Sequence, residues 1–167
     1  MTDNTASILE FAHTLAQPAE ASKMTSVQAP TVAELLGKEL ASALGSSPIS
    51  TVVVWDQIES AVLGHVVARE LDAELIYAFS VEGSLGLSAE LRSDSRVALI
   101  SYDWSELHGL SALASFVESK GATVLSVGSV ISEPNLEIAA GIKTHALTGS
   151  QLEIPDSLKE QHVVDNG

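Results

Sequence analysis

The chain has 167 residues, of which 46% are hydrophobic and 18% are charged, a composition typical of one folded domain with a buried core. Eight lysines and arginines stand against 22 aspartates and glutamates, and the resulting formal charge of -14 at pH 7 opposes binding to nucleic acid, anionic membranes and polyanions. The sequence contains no cysteine, which excludes disulfides, thiol catalysis and thiolate metal sites.

The N-terminal part of the chain is predicted to lie outside the main domain. Ile8, Phe11, Ala12 and Leu15 recur at helical spacing, and residues 17–30 are rich in Ala, Ser and Pro. We therefore expect residues 1–30 to form an accessory helix and a flexible linker. Residues 1–20 lack the basic start and apolar core of a signal peptide, and no apolar run approaches the ~18 residues of a membrane span. These features predict a cytoplasmic protein with no membrane partner.

A helix is predicted from Thr31 to Gly45. Thr31 precedes Glu34 by three positions, which is the spacing of a capping box, and apolar residues then recur at helical spacing as far as Gly45. The helix opens a predicted domain that covers residues 31–150, followed by a C-terminal tail over residues 151–167.

Strand-like and helix-like segments alternate along this domain. Strands are predicted over residues 51–55, 74–79, 97–102 and 123–131 with an edge strand over 142–147, helices over 61–71 and 109–120, a polar turn over 56–60, and an irregular segment over 81–96. Strands separated by single helices form parallel sheets, so we predict an α/β fold with a doubly wound, mostly parallel sheet flanked by helices. Ligands of such sheets bind where the strand order reverses, which here implicates the loops after Trp55 and Tyr102.

A family resemblance enters in the second half of the domain. The strand VALISY (97–102), the helix LSALASFVESKGA (110–122) and the strand TVLSVGSVI (123–131) follow one another in order. The order and spacing of these segments resemble the signature region of type I phosphoribosyltransferases, and the resemblance extends over residues 31–150. In that family, two acidic residues follow the strand and hold the ribose hydroxyls. A Thr-Thr-Gly loop then opens a helix and cradles the 5-phosphate of phosphoribosyl pyrophosphate, using backbone N–H groups at the helix start.

The resemblance implies two ligand loops in this chain, and both are altered. The positions of the signature motif are filled here by Tyr102, Asp103, Glu106, Leu107, His108 and Gly109. Asp103 and Gly109 match the family pattern. The upstream pyrophosphate loop corresponds to Asp56, Gln57, Ile58 and Glu59, where the family has small residues and glycine. Residues 81–96 would correspond to the mobile catalytic flap, with Arg92 and Arg96 but no lysine.

The four loop carboxylates, Asp56, Glu59, Asp103 and Glu106, would converge at the point where the strand order reverses. Two like charges at ~4 Å repel by about 4 kcal/mol at an effective dielectric near 20, so we expect ordinary phosphoribosyl pyrophosphate binding to be lost. The same oxygens suit an amine ligand or a hard cation such as Mg²⁺, with Asp103 and Glu106 as the ligands of the cation, or the acids are simply solvated.

Several other side chains invite a functional and a structural interpretation. His108 stands at a helix start and is either a proton donor or an exposed residue without a role. His65 is interpreted as a partly buried packing residue rather than a ligand. Trp55 and Trp104 follow strands and either wall a pocket or pack against helices.

Three functions follow from these observations. The first is a non-catalytic phosphoribosyltransferase-like protein, a homodimer with a binding or regulatory role and a small-molecule ligand at the reversal point. The second is an active transferase that moves ribosyl phosphate to a nucleobase-like acceptor in nucleotide metabolism, with Asp103 holding ribose and the Gly109 amide holding phosphate. The third is a structural domain whose accessory helix docks on another chain.

Overall fold

The structure, a computed structural model, describes residues 30–104, 109–130 and 142–147. In chain order the elements are α1 (Pro30–Leu44), β1 (Thr51–Trp55), α2 (Ile58–Leu71), β2 (Glu74–Val81), β3 (Ser84–Leu87), β4 (Arg96–Ser101), α3 (Leu110–Ser119), β5 (Thr123–Ser129) and β6 (Lys143–Ala146). The predicted accessory helix, its linker up to residue 29 and the C-terminal tail lie outside the described residues. None of the described helices is long and apolar enough to cross a membrane.

The six strands form one sheet in the order β3-β2-β1-β4-β5-β6. β3 pairs antiparallel with β2, and every other neighbouring pair is parallel. From β1 the chain first moves outward to β2 and β3, and then returns to place β4 on the opposite side of β1. The strand order therefore reverses between β1 and β4. The mostly parallel sheet predicted from the sequence is confirmed.

Helices cover both faces of the sheet. Successive residues of β1 point to opposite sides, so this strand contributes to both cores. Val52 and Val54 belong to a core formed with α1 and α2, whereas Val53 belongs to a core formed with α3. All three valines are fully buried. This burial on both faces explains why β1 reads as a continuous β-branched run rather than as an alternating strand.

Two glycines allow the α1–α2 layer to pack tightly. A Cβ built on Gly37 of α1 would lie 2.4 Å from Cγ1 of Val66 on α2, and a Cβ on Gly64 of α2 would lie 2.4 Å from Cγ1 of Val54 on β1. Both positions therefore have room for a backbone and none for a side chain. They set the distance of α2 from α1 and from the sheet.

The structure corrects three predicted boundaries. The residues predicted as a polar turn over 56–60 include the first turn of α2, which begins at Ile58. Polar residues favour the start of a helix as well as a loop, and the sequence pattern did not separate the two. The segment predicted as irregular contains β3, joined to β2 by a turn in which Glu82 and Gly83 have positive φ. α1 begins at Pro30, so Thr31 lies inside its first turn rather than before it.

Candidate functional site

The candidate site lies at the carboxyl ends of β1 and β4, with the residues that follow each strand. We call this region the switch edge, because the strand order reverses there. β1 remains tied to the sheet just beyond its end, since the Asp56 N–H donates to the Ala78 carbonyl at 2.9 Å. Of the predicted site residues, Asp56, Gln57, Glu59, Asp103 and Gly109 are all described at or beside this edge.

The upstream loop is very short. Asp56 and Gln57 are exposed and form the whole connection between β1 and α2, and Gln57 occupies the N-cap position in an extended conformation. Glu59 lies in the first turn of α2 and is half-buried. The start of a helix carries partial positive charge, and a carboxylate in the first turn interacts favourably with that charge. At this helix start, the site that favours an anion therefore already has a neighbouring carboxylate from the protein itself, that of Glu59.

Ser60 anchors the first turn of α2 to the end of β4. Its hydroxyl is buried, lies 3.4 Å from the Ser101 hydroxyl, and accepts from the Tyr102 N–H at 3.4 Å. The Ser101 hydroxyl in turn donates to the Asp103 backbone carbonyl at 3.1 Å. These contacts join the two ligand loops implied by the resemblance through buried hydroxyl groups, which the sequence pattern did not indicate.

Asp103 and Trp104 follow β4 and are both buried. Asp103 is 7% exposed, so its carboxylate is not one of the freely solvated loop acids expected from the sequence. Trp104 is 5% exposed and its indole Nε1–H donates to the Gly128 carbonyl at 3.0 Å. Trp104 therefore packs in the α3-side core, in agreement with the packing interpretation and not with that of a pocket wall.

Gly109 immediately precedes α3, and the indole of Trp55 lies against it. A Cβ built on Gly109 would be 3.2 Å from Cζ2 and 3.9 Å from Cη2 of Trp55, so the carbon edge of the ring faces this backbone. Trp55 is half-buried, and its Nε1 is enclosed without a hydrogen-bond partner in the described part of the chain. An apolar ring edge thus lies beside the helix start at which an anion would have to bind.

The remaining predicted site residues, Glu106, Leu107 and His108, lie outside the described residues. The expected Mg²⁺ pair, Asp103 with Glu106, is therefore incomplete in this part of the structure. Among the described residues, no three histidines or carboxylates lie together in a group that could hold a metal ion.

The flap arginines lie at the opposite end of the sheet. Arg96 is the first residue of β4, and its backbone N–H donates to the Ser50 hydroxyl just before β1 at 2.9 Å. Arg92 and Arg96 line a 270 Å³ cavity together with Ser50 and Glu74. This cavity lies at the amino ends of the strands, whereas the switch edge lies at their carboxyl ends. The hairpin β2–β3 accounts for this location, since it returns the chain to the amino ends.

His65 also differs from its predicted environment. It is exposed on α2 and lines a groove between α1 and α2, instead of being partly buried in the core. The helical period alone could not decide this, because His65 is adjacent to the buried residues Gly64 and Val66.

No family model and no curated protein matches the chain. Solved structures do. Adenine phosphoribosyltransferase from Trypanosoma brucei in complex with AMP, pyrophosphate and ribose-5-phosphate is similar over 71% of this chain and 66% of its own, with 16% identity and a TM-score of 0.52. UMP synthase from Leishmania donovani is similar over 74% of this chain and 28% of its own, with 19% identity and a TM-score of 0.57.

A hypothetical protein from Neisseria gonorrhoeae with bound ppGpp is similar over 77% of this chain and 90% of its own, with 12% identity and a TM-score of 0.52. This chain thus spans 66% of the trypanosomal enzyme's length and 28% of the Leishmania one's. Similarity at such low sequence identity establishes a shared backbone fold. It does not extend the ligands of these proteins to this chain. The chain has the fold of the type I phosphoribosyltransferases.

Proposed function

We propose that this protein is a phosphoribosyltransferase-like binding or regulatory protein of the cytoplasm that does not transfer phosphoribosyl groups. The observation that carries the proposal is the Trp55 indole at Gly109, where its carbon edge lies beside the start of α3. A phosphate-binding helix start needs its first N–H groups open to the anion. An aromatic edge offers that anion no hydrogen-bond donor, and it occupies space next to the required backbone.

The charges at the switch edge support the same proposal. Asp56 is exposed in the two-residue loop, and Glu59 lies in the first turn that follows it. A diphosphate approaching this helix start would meet two carboxylates, and each like-charge pair at ~4 Å costs about 4 kcal/mol at an effective dielectric near 20. The ligand that suits this edge is therefore a small molecule that is neutral or cationic.

Titration calorimetry with phosphoribosyl pyrophosphate and magnesium tests the proposal. We expect no binding heat at millimolar ligand, whereas micromolar affinity would overturn the proposal. A matched titration of Asp56→Asn/Glu59→Gln shows whether charge or shape excludes the compound. Binding gained by that variant assigns the exclusion to the carboxylates, and continued absence of binding assigns it to the Trp55 ring edge beside the start of α3.

The second candidate is an active transferase that moves ribosyl phosphate to a nucleobase-like acceptor. It is favoured by the positions of Asp103, two residues after the end of β4, and of Gly109, directly before α3, since both match the signature motif. In this role Asp103 would hold the ribose hydroxyls and the Gly109 amide would hold the phosphate. A mass-spectrometric screen of common bases with phosphoribosyl pyrophosphate discriminates the two candidates, and turnover that Asp103→Asn abolishes would establish the enzyme.

We also propose that the protein is a homodimer, on the basis of the family resemblance alone. Light scattering coupled to size exclusion tests this directly, and a mass of one chain across a hundredfold range of concentration would refute it.

A further inference from the structure

A groove separates the start of α1 from the middle of α2. Its volume is 340 Å³, and its lining includes Pro30, Ala33, Val62, His65, Val66 and Tyr77. We call it the α1–α2 groove. Its lining contains none of the predicted ligand residues.

The groove continues into an exposed apolar strip along α2. Val62 is 36% exposed, and Ile58, one turn earlier on the same face, is 68% exposed. Among the described residues, Val81 is the other large apolar side chain that is exposed. Exposed apolar side chains aligned beside a groove indicate a surface that another element covers.

The charge at the rim of the groove is already compensated. The Glu34 carboxylate lines the groove and forms an ion pair with the Arg69 guanidinium at 2.6 Å, which holds the pKa of Glu34 below its usual value. A second oxygen of the same carboxylate accepts from Arg69 at 3.0 Å. The bidentate pairing leaves the groove suited to an apolar occupant rather than to a cation.

We propose that the apolar face formed by Ile8, Phe11, Ala12 and Leu15 packs into the α1–α2 groove of its own chain. These residues recur at the i, i+3, i+4, i+7 spacing of a helix that buries one face. Pro30, at which the N-terminal segment joins α1, itself lines the groove. The segment therefore enters the described structure at the surface that it covers.

The length of the connecting chain permits this docking. Leu15 and Pro30 are 15 positions apart, and a chain of that length reaches up to ~50 Å when extended. A tethered occupant is present at an effective concentration on the order of millimolar, so weak apolar contacts suffice to hold it. A second copy of the chain lacks this advantage. A stable dimer also buries about 800 Å² on each partner, far more than a groove lined by a few side chains offers.

Thiol labelling of the full-length chain tests the proposal, because the sequence has no cysteine of its own. Val62→Cys places a single thiol in the groove. We compare its maleimide reaction rate with that of the same variant carrying Phe11→Asp and Leu15→Asp. If the segment covers the groove in nine molecules of ten, the acidic substitutions accelerate labelling by about tenfold, since the reaction follows the open fraction.

Ser111→Cys is the matched control. Ser111 is exposed on α3, on the opposite face of the sheet, so its labelling rate should be the same with and without the acidic substitutions. Equal rates for Val62→Cys in the two backgrounds would overturn the proposal. A Val62→Cys rate that rises on dilution would overturn it as well, because a second copy would then cover the groove. Oxidation of Phe11→Cys/Val62→Cys provides an independent measurement. It should give a disulfide within one chain, and crosslinks solely between chains would contradict docking in the same chain.

Discussion

Gly64 is the position at which the structure makes its strongest prediction about the placement of α2. It lies inside the helix and faces Val54 of β1, so that a new Cβ would be 2.4 Å from Val54 Cγ1 and 3.2 Å from Leu75 Cδ1. Val54 is fully buried and its branched side chain has little rotameric freedom. Gly64→Ala therefore requires α2 to move away from the sheet.

Two opposing effects determine the result of this substitution. Alanine in place of glycine inside a helix adds about 1 kcal/mol of stability through propensity. Forcing an extra methyl group into a filled core costs about 1–3 kcal/mol, and contact with a stiff buried side chain places this case toward the upper end. We expect a net loss of about 1–2 kcal/mol, which corresponds to a melting temperature lower by about 2–8 °C for a chain of this size.

Urea unfolding of four proteins measures the effect: the parent, Gly64→Ala, Val54→Ala and the double variant. Val54→Ala removes the methyl groups that the new Cβ would contact, so in that background Gly64→Ala should stabilise the protein by about 1 kcal/mol. The reversal of sign identifies the contact. A Gly64→Ala protein at least as stable as the parent would refute the tight packing of α2 on β1.

Three further outcomes are expected. Phosphoribosyl pyrophosphate at 1 mM with magnesium should leave the melting temperature unchanged, whereas a ligand at 100 times its Kd would add about 2.7 kcal/mol. In urea unfolding, Trp104→Phe should cost more than Trp55→Phe by about 1–3 kcal/mol, because within the described part of the chain only the Trp104 indole donates a hydrogen bond, to the Gly128 carbonyl; equal losses would contradict this pairing. Burial, and then the charge of Lys143, lowers the pKa of His145 below 6.5, so the folded state resists protonation and stability should decline as pH falls below that value. Urea midpoints at pH 7.5 and 5.5 measure this decline, which His145→Gln should reduce.

The sheet was predictable because its signals are local and repeated. The β-branched run at β1 and the helix that follows it have the lengths and spacing of a parallel unit, and the short segment at 142–147 was correctly predicted as an edge strand. The β2–β3 hairpin was missed because its turn uses Glu82 at positive φ, a conformation that few sequences mark. The hairpin returns the chain to the amino ends of the strands, where Arg92 and Arg96 lie.

The candidate site was predictable in position but not in environment. Parallel topology alone places Asp56 and Asp103 at the carboxyl ends of β1 and β4. Whether a side chain there is solvated depends on contacts distant in sequence. Asp103 is buried beside the Ser60–Ser101 hydroxyl pair, and Trp55 meets Gly109 across 54 positions of sequence. No sequence period or motif indicates such contacts. The sequence therefore predicted where in the sheet the acidic residues lie, but it could not predict how exposed they are.

The fold suggests an anionic ligand, whereas the residues at the switch edge suggest a neutral or cationic one. The electrostatics of the two helix starts explains this difference. A phosphoribosyltransferase fold brings two helix starts to one edge of the sheet, and an unoccupied helix start favours an anion. In this chain each start has a different neighbour: the Glu59 carboxylate lies in the first turn of α2, and the Trp55 ring edge lies beside the start of α3. Under the proposed function, the first helix start is partly neutralised and the second adjoins an apolar ring, so neither start favours phosphate. The proposed ligand must then be selected by carboxylates and an indole, which favour a flat neutral or cationic molecule.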